Sequence, residues 1–463
     1  MELDFKNITQ VYFLGIGGIG MSALARYFNA MGMKVSGYDK TPTKLTDELI
    51  AEGIDIHFDD NIRLIPVSIK QLPYAIENIL IVYTPAIPKE HSELVYFKEG
   101  EFVIKKRSEV LGMITENSNT VAVAGTHGKT TTSTLIAHIL KTANLNPSAF
   151  LGGISQNYNT NLLLSSSVTN NNLVVVEADE YDRSFLTLHP AIGVITSVDP
   201  DHLDIYGNEK YMQESYSLFS RQVTSKLILK KSIVDKIDSG KQAITYSVND
   251  EDADYFAQNI RIENGTYHYD VVTPISIFTN LTLGLPGLHN VENSVAATAV
   301  ACEMGVSEEN IREALRSFGG VKRRFDYQIK TDSLIYIDDY AHHPEELIAA
   351  INSAKEMYPN RKITGIFQPH LFSRTRDFAD DFARSLDLLD ECILMEIYPA
   401  RELPIEGVSS KMLLDKMKLI NKSIVQKDDL LAELDSRKVD VLLTLGAGDI
   451  DMFVEPIKNS LLK

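Results

Sequence analysis

The chain has 463 residues, 44% of them hydrophobic and 23% charged, which is typical of globular proteins and excludes a disordered or fibrous class. One hydrophobic core rarely serves so long a chain, so we expect about three domains. The net charge of -18 argues against a nucleic-acid partner. No apolar run reaches the ~18 residues that span a bilayer. The segment MELDFKNITQ lacks a signal-peptide pattern, so we expect a cytoplasmic protein without a membrane partner.

Apolar β-rich runs alternate with helical patterns, which predicts doubly wound α/β units with mostly parallel sheets. We expect three domains, at residues 1–107, 108–324 and 325–463, because the polar KKRSE and the glycine-rich FGGVKRRF segments mark two boundaries. Polar composition predicts a surface loop over residues 162–172. Cys302 and Cys392 stand apart in apolar stretches, so we expect two reduced thiols.

The first candidate binding loop lies in YFLGIGGIGMSALARYF, where an apolar strand, a glycine cluster and a helical pattern follow one another. Gly15, Gly17 and Gly20 fit G-x-G-x-x-G, and Asp39 ends the next apolar run. This arrangement is typical of loops that bind a dinucleotide, with backbone N–H groups around a pyrophosphate and an acid near a ribose. The pattern does not tell which pyrophosphate binds.

A second glycine-rich loop occurs in AVAGTHGKTTT, again between a strand and a helix. A strict Walker A motif has glycine where this chain has Val123, but Gly125, Gly128, Lys129 and Thr130 keep the functional groups. Lys129 can bind the outer phosphates, and the Thr130 hydroxyl can bind Mg²⁺. The loop therefore predicts a nucleoside triphosphate site.

Acidic residues follow two further apolar strands. The polar residues after the first strand are Glu177, Asp179, Glu180 and Asp182, and those after the second are Asp199, Asp201, His202 and Asp204. Any one of them could cap a helix instead. Clustered carboxylates at strand ends are costly unless a cation compensates them, so we expect at least one to bind Mg²⁺.

Six motifs occur in a fixed order: GTHGKTTT, EADEYDRSF, PDHLD, GLHNVEN, RRF and DDYAHHP. With them the chain resembles, from end to end, the Mur ligases, ATP-dependent amide-forming enzymes of peptidoglycan synthesis. FLGIGGIGMSALA and DDYAHHP are most similar to members that join L-alanine to UDP-N-acetylmuramate through an acyl phosphate. The resemblance implies a Rossmann-like UDP-sugar domain, a central P-loop ATPase domain and a Rossmann-like C-terminal domain that binds the amino acid and closes on ATP. It also implies ATP and Mg²⁺ as cofactors.

The resemblance also implies a role for individual residues of this sequence. The residues implied for UDP-sugar binding are Gly15, Gly17, Gly18, Ile19, Gly20, Met21, Ser22 and Asp39. Those implied for ATP binding are Gly125, Thr126, His127, Gly128, Lys129, Thr130, Thr131, Asn290, Asn293, Arg324 and Asp339. Those implied for the metal are Thr130, Glu177 and His202, and those for the amino acid or a substrate carboxylate are Tyr340, His342, Arg374 and Arg376. The catalytic set is Lys129, Glu177, His202, Arg324, Asp339 and His342, with His342 or Asp339 as the base for the amine.

One position departs from the family pattern, because Leu371 in QPHLFSRTR stands where many members have a basic residue, and Arg376 could substitute for it. Less specific interpretations also exist: Asn290 and Asn293 could cap a helix, and Arg324 could form a hinge ion pair.

Three alternative functions stay open at this point. A recycling ligase would attach an intact tripeptide to the same UDP-sugar, but GIGGIGMSA argues against it. A dinucleotide-dependent oxidoreductase would leave Lys129 and Thr130 without a role. A non-catalytic nucleotide sensor would not need the complete catalytic set.

Overall fold

The computed structural model describes residues 5–70, 76–165, 172–200, 203–263, 266–400 and 402–462. The chain divides into two compact units, one formed by Met1–Phe256 with Ser294–Ala314 and the other by Ala257–Asn293 with Leu315–Lys463. Across the described ranges, no helix combines the length and apolarity needed to cross a membrane. Cys302 and Cys392 are free thiols.

The first unit begins with a five-stranded parallel sheet. Its strands are β1 (Gln10–Leu14), β2 (Lys34–Tyr38), β3 (Asp55–His57), β4 (Ile79–Tyr83) and β5 (Val103–Lys106). The helices of this segment are α1 (Ile19–Ala30), α2 (Lys44–Ala51), α3 (Val67–Lys70), α4 (Ser92–Glu99) and α5 (Arg107–Glu116). The strand order is β3-β2-β1-β4-β5, so the order reverses at β1. Ligands bind at such switch points, and the first glycine loop follows β1.

A second, mostly parallel sheet completes this unit. Its strands are β6 (Asn119–Ala124), β7 (Ser148–Ser155), β8 (Thr160–Leu163), β9 (Leu173–Glu177), β10 (Ile192–Ile195), β11 (Lys226–Lys230) and β12 (Ile244–Ser247). Its helices are α6 (Lys129–Thr142), α7 (Leu203–Tyr206) and α8 (Glu209–Gln222). The order is β12-β11-β10-β6-β9-β7-β8, with only β8 antiparallel among these strands. Tyr255 and Phe256 pair with β12.

The predicted surface loop at residues 162–172 is wrong at its start. Leu162 and Leu163 belong to β8 and are only 6% and 4% exposed. They are buried because β8 pairs with β7, so these two apolar residues join the core instead of a polar loop. Residues 166–171 lie outside the described residues.

The second unit contains an antiparallel hairpin and a six-stranded sheet. Strand β13 (Tyr255–Glu263) runs into this unit, and the hairpin strands are β14 (Thr266–Val272) and β15 (Ile277–Leu283). The strands of the six-stranded sheet are β16 (Asp326–Lys330), β17 (Ile335–Asp339), β18 (Ile363–Phe367), β19 (Glu391–Met395), β20 (Lys422–Val425) and β21 (Val441–Leu445). Their order is β16-β17-β21-β18-β19-β20, and all pairs are parallel except β16 with β17.

Helices cover the sheet of the second unit and connect the two units along the chain. The connecting helices are α9 (Leu288–Glu303) and α10 (Glu308–Ser317). The remaining helices are α11 (Pro344–Met357), α12 (Phe372–Asp377), α13 (Ala379–Leu386), α14 (Ser410–Lys416), α15 (Leu430–Asp435) and α16 (Val454–Leu461). Apolar residues of α11 and α13, including Ile351 and Phe382, pack on one face of the sheet. This packing fixes the loops at the carboxyl ends of β17 and β18.

We expect acid to destabilise the first unit through His138 of α6. This side chain is 5% exposed, its Nδ1 lies 2.7 Å from the Tyr158 hydroxyl, and burial lowers its pKa to about 4. An unfolded histidine titrates near pH 6.5, so between about pH 6.5 and 4 the unfolded chain binds a proton that the folded chain does not. The free energy of unfolding therefore decreases as the pH falls through this window, by about 1–2 kcal/mol at pH 5.

Urea unfolding of the wild type and His138→Gln at pH 7.5 and pH 5 measures this effect. The variant should lose less stability between the two pH values than the wild type does. Some loss will stay, because burial also lowers the pKa of His289 to about 4. Equal losses in both proteins would show that His138 does not titrate as described.

Candidate functional site

The first glycine loop lies at the carboxyl end of β1 and is held by the end of β2. The Gly15 amide donates to the Tyr38 carbonyl at 2.8 Å, and the Gly17 amide donates to Asp39 Oδ2 at 2.7 Å. Asp39 Oδ1 accepts a further bond from the Thr41 amide at 3.1 Å. The structure therefore brings Asp39 and the loop together, because the Asp39 carboxylate accepts a hydrogen bond from the Gly17 amide.

The first turn of α1 is attached to β8 through Asn161, which sequence reasoning missed. Asn161 is fully buried, and its Nδ2 donates to the Ile19 carbonyl at 2.6 Å and to Ser22 Oγ at 2.9 Å. Arg26 Nη1 donates to Asn161 Oδ1 at 2.6 Å. Met21 is 2% exposed and Ser22 is fully buried. Their side chains therefore pack inside the unit, whereas Ile19 is 36% exposed beside Gly18.

The second glycine loop connects β6 to α6, and the end of β10 holds it in place. Gly128, directly before α6, has left-handed backbone with a φ of 80°. Ser197 Oγ lies 2.9 Å from Thr126 Oγ1 and accepts from the His127 amide at 2.8 Å. Thr126 Oγ1 also accepts from the Asp199 amide at 3.1 Å. Ser197 gave no sequence signal of its own, because its role depends on the pairing of β10 with β6.

Lys129, the first residue of α6, is folded back onto its own loop. Its Nζ donates to the Gly125 carbonyl at 2.6 Å and lies 2.7 Å from Glu180 Oε2. The Lys129 and Glu180 side chains are only 13% and 3% exposed. Burial raises the pKa of Glu180 to about 7, although the Lys129 ammonium opposes that rise. Glu180 is therefore the acid that forms an ion pair with the lysine of this loop.

Glu177, at the end of β9, carries a buried carboxylate oxygen. Its Oε2 has no hydrogen-bond partner within the described ranges, and the carboxylate lies so close to Gly152 that a Cβ there would be 2.1 Å from Oε2. A buried carboxylate oxygen without a donor is costly, so this position suits a cation. Thr130 is 7% exposed on the neighbouring α6, and Thr131 follows it.

Two of the three predicted metal ligands lie within the described residues. His202 lies outside the described residues, which leaves Thr130 and Glu177. Over the described part of the chain, no three or more His, Cys, Asp or Glu side chains form a group that could hold a metal ion.

In the second unit, Asn290 and Asn293 are buried on α9, at 6% and 8% exposed. Asn290 Nδ2 donates to the Pro286 carbonyl at 2.6 Å, and Asn293 Nδ2 donates to Asn290 Oδ1 at 3.3 Å. Both lie inside α9, after its first residue Leu288, so the interpretation of them as its N-caps is wrong.

The segment before β16 is anchored by Asp339 at the end of β17. Asp339 Oδ2 accepts from the Phe325 amide at 2.7 Å, and Oδ1 accepts from the Ala341 amide at 2.8 Å. Burial raises the pKa of Asp339 to about 6. The Arg324 guanidinium lies 5.2 Å from the Tyr340 ring centroid, and its Nη1 is 3.7 Å from Glu346. The structure thus brings Arg324, Asp339 and Tyr340 together.

His342 and His370 follow the ends of β17 and β18. His342 Nδ1 lies 3.0 Å from the Tyr340 carbonyl and 3.1 Å from Glu346 Oε2. The rings of His342 and His370 are 6.1 Å apart, and His370 stacks on Tyr398 at 5.7 Å. The rings of Tyr340, His342, His370 and Tyr398 therefore contact one another in succession, and Arg324 lies over the Tyr340 ring.

Arg374 and Arg376 both belong to α12, but they differ in surroundings. Arg374 is half-buried. Arg376 is 53% exposed and pairs with its neighbour Asp377 at 2.7 Å. An exposed ion pair of this kind contributes little free energy.

Three family profiles match the chain in succession. The profile described as "Mur ligase family, catalytic domain" matches residues 10–119. "Mur ligase middle domain" matches residues 123–301, and "Mur ligase, glutamate ligase domain" matches residues 323–448.

Individual proteins agree with these profiles. The UDP-N-acetylmuramate–L-alanine ligase of Flavobacterium johnsoniae is 53% identical and covers 99% of both chains. The crystal structure of UDP-N-acetylmuramate-alanine ligase MurC from Thermotoga maritima has a TM-score of 0.80 at 29% identity, covering 98% of this chain and 99% of that one. A murein peptide ligase from Psychrobacter arcticus shares the fold, with a TM-score of 0.70, 23% identity and 98% coverage of both chains. The predicted α/β fold of three domains is confirmed, and the chain belongs to the Mur ligase family.

Proposed function

We propose that this chain joins L-alanine to the carboxylate of UDP-N-acetylmuramate through an acyl phosphate, with release of ADP and phosphate, in peptidoglycan precursor synthesis. The observation that carries the proposal is the 53% identity, over 99% of both chains, to a ligase of that name. Two glycine loops in the first unit, each directly before a helix N-terminus that suits a phosphate group, support a reaction between a sugar nucleotide and ATP.

We further propose the domain division 1–107, 108–324 and 325–463. Support comes from the sheets, because β1–β5, β6–β15 and β16–β21 fall within those three ranges. In this division the first domain binds the sugar nucleotide, the second binds ATP, and the third binds the amino acid.

The Lys129 ammonium has to leave Glu180 and bind phosphate for the reaction to take place. The ammonium is held by Glu180 and by the Gly125 carbonyl, and a phosphate group that enters the loop offers it more negative charge than one carboxylate does. Glu177 and Thr130, with His202, would hold Mg²⁺, which when bound neutralises phosphate charge. The Glu177 oxygen, which has no hydrogen-bond partner among the described residues, supports this fit.

The amine of alanine reacts only after it loses a proton, and His342 suits that step better than Asp339. Both Asp339 oxygens accept backbone amides, so this carboxylate is committed to the turn before β16. His342 has its Nδ1 fixed by the Tyr340 carbonyl and Glu346, which orients the ring as a general base requires. Arg324 and Asn290 would bind the nucleotide, and Arg374 a substrate carboxylate.

Phosphate release tests the proposed function. The protein is mixed with Mg²⁺-ATP and UDP-N-acetylmuramate, and L-alanine or the tripeptide L-alanyl-γ-D-glutamyl-meso-diaminopimelate is added in separate reactions. We expect release that requires both the sugar nucleotide and L-alanine. Release only with the tripeptide would move the chain to the recycling branch, and no release in any reaction would contradict the ligase proposal.

A further inference from the structure

Arg107, the first residue of α5, lies between the first turn of α1 and the acidic segment that follows β9. Its Nη2 is 3.0 Å from Asp179 Oδ2, in the acidic segment that follows β9. Its Nη1 is 2.9 Å, and its Cδ 3.1 Å, from where a Cβ on Gly20 would stand. One guanidinium therefore reaches both the first turn of α1 and the acidic segment after β9.

Asp179 holds a central position in that acidic segment. It stands between Glu177 and Glu180 in the sequence, and its Oδ1 accepts the Tyr181 amide at 3.1 Å. A small cavity beside it is lined by Arg107, Glu177 and Asp179, among others. Arg107, Asp179 and Glu177 thus line one cavity.

Arg107 differs from the two lysines that precede it. Lys105 lies 3.9 Å from Glu109, and Lys106 lies 3.1 Å from Asp182; their side chains are 35% and 42% exposed. The Arg107 side chain is only 21% exposed. Of these three cations, Arg107 is the one placed against a glycine loop.

The Arg107–Asp179 pair is suited to exchange. Asp179 is 41% exposed, and an ion pair with a partner so exposed contributes little free energy. A diphosphate carries more charge than a carboxylate, and its oxygens fit the planar fork of a guanidinium. Gly20 leaves the space that the guanidinium needs beside the N-terminus of α1, where backbone N–H groups receive phosphate.

We propose that Arg107 leaves Asp179 and binds the diphosphate of the sugar nucleotide when that substrate occupies the first loop. The inference rests on the proposed function, because it takes a uridine diphosphate as the ligand of this loop. Asp179 is then a competitor that holds Arg107 in the free protein. No covalent step is involved.

Calorimetric titration of the full chain with UDP tests the exchange. Arg107→Ala should bind UDP about ten- to a hundredfold more weakly, which is the usual effect of losing one charge-assisted contact. Asp179→Asn should bind UDP about two- to fivefold more tightly, because the competing carboxylate is gone. Lys105→Ala is the matched control and should bind as the wild type does. Uridine, which has no phosphate, should bind the wild type and Arg107→Ala alike.

The two substitutions should change the affinity for UDP in opposite directions, and this difference distinguishes ligand binding from a structural role. If the pair only stabilises the fold, Arg107→Ala and Asp179→Asn will weaken UDP binding to a similar extent, and the inference is overturned. Wild-type affinity in Arg107→Ala would overturn it as well, with the proposed function intact. A wild type that binds no UDP would instead contradict the proposed function. Should Arg107→Ala fail to fold, Arg107→Lys keeps the charge, loses the fork, and should still bind severalfold more weakly.

Discussion

Lys129→Ala should lower the turnover number by about two to three orders of magnitude, which is the usual effect of removing one charged group that stabilises transferring phosphate. Lys129 begins α6 directly after Gly128, so its ammonium is fixed to the glycine loop. No other side chain of that loop, GTHGKT, carries a permanent positive charge. Steady-state phosphate release with saturating substrates measures the loss.

The same substitution also leaves Glu180 buried without its ammonium partner. Lys129→Ala should therefore unfold at lower temperature, because the loss of one member of a buried ion pair leaves the other charge less well compensated. The double variant Lys129→Ala with Glu180→Gln should recover stability and stay inactive. Lys141→Ala, in the last turn of the same helix, is the control and should keep full turnover. A normal turnover number in Lys129→Ala would refute the assignment of this loop to ATP.

The sequence predicts well those elements whose pattern is local. The runs TVAVAGT and LVVVEADE correspond to β6 and β9, and SLIYIDDYA corresponds to β17, because continuous apolar runs are typical of buried parallel strands. The helix predicted at TTTSTLIAHIL is α6. The six ordered motifs indicate the family, because each motif contains several candidate functional residues that are close together in the chain.

Features that depend on contacts between residues far apart in the sequence leave no local sequence pattern. Asn161 contacts α1 only because β8 lies at the edge of the second sheet, beside that helix. Gly152 looks like an ordinary strand residue until Glu177 of β9 is placed next to it. The hairpin of β14 and β15 lies between the PDHLD and GLHNVEN motifs, so no motif indicates it. Tertiary packing, not local sequence, determines these positions.

Gly152→Ala should impair the enzyme through Glu177 while it preserves the fold. An alanine Cβ would stand 2.1 Å from Oε2 and 2.4 Å from Oε1 of Glu177, so the carboxylate has to move. The end of a flexible side chain moves at little cost in stability, but a displaced metal ligand holds its ion less well. We expect the Mg²⁺ concentration for half-maximal activity to rise about ten- to a hundredfold. Phosphate release over a Mg²⁺ series measures this shift.

A matched glycine and a double variant show whether Glu177 carries the effect. Gly284→Ala is the control, because the nearest atom to its Cβ would be the Phe318 carbonyl oxygen at 3.8 Å, and its Mg²⁺ dependence should not change. Residues that act through one contact are not additive, so Gly152→Ala should add no further loss to Glu177→Ala. An additional loss in the double variant would mean that Gly152 acts through another neighbour. An unchanged Mg²⁺ dependence in Gly152→Ala would mean that the carboxylate beside it does not bind the metal.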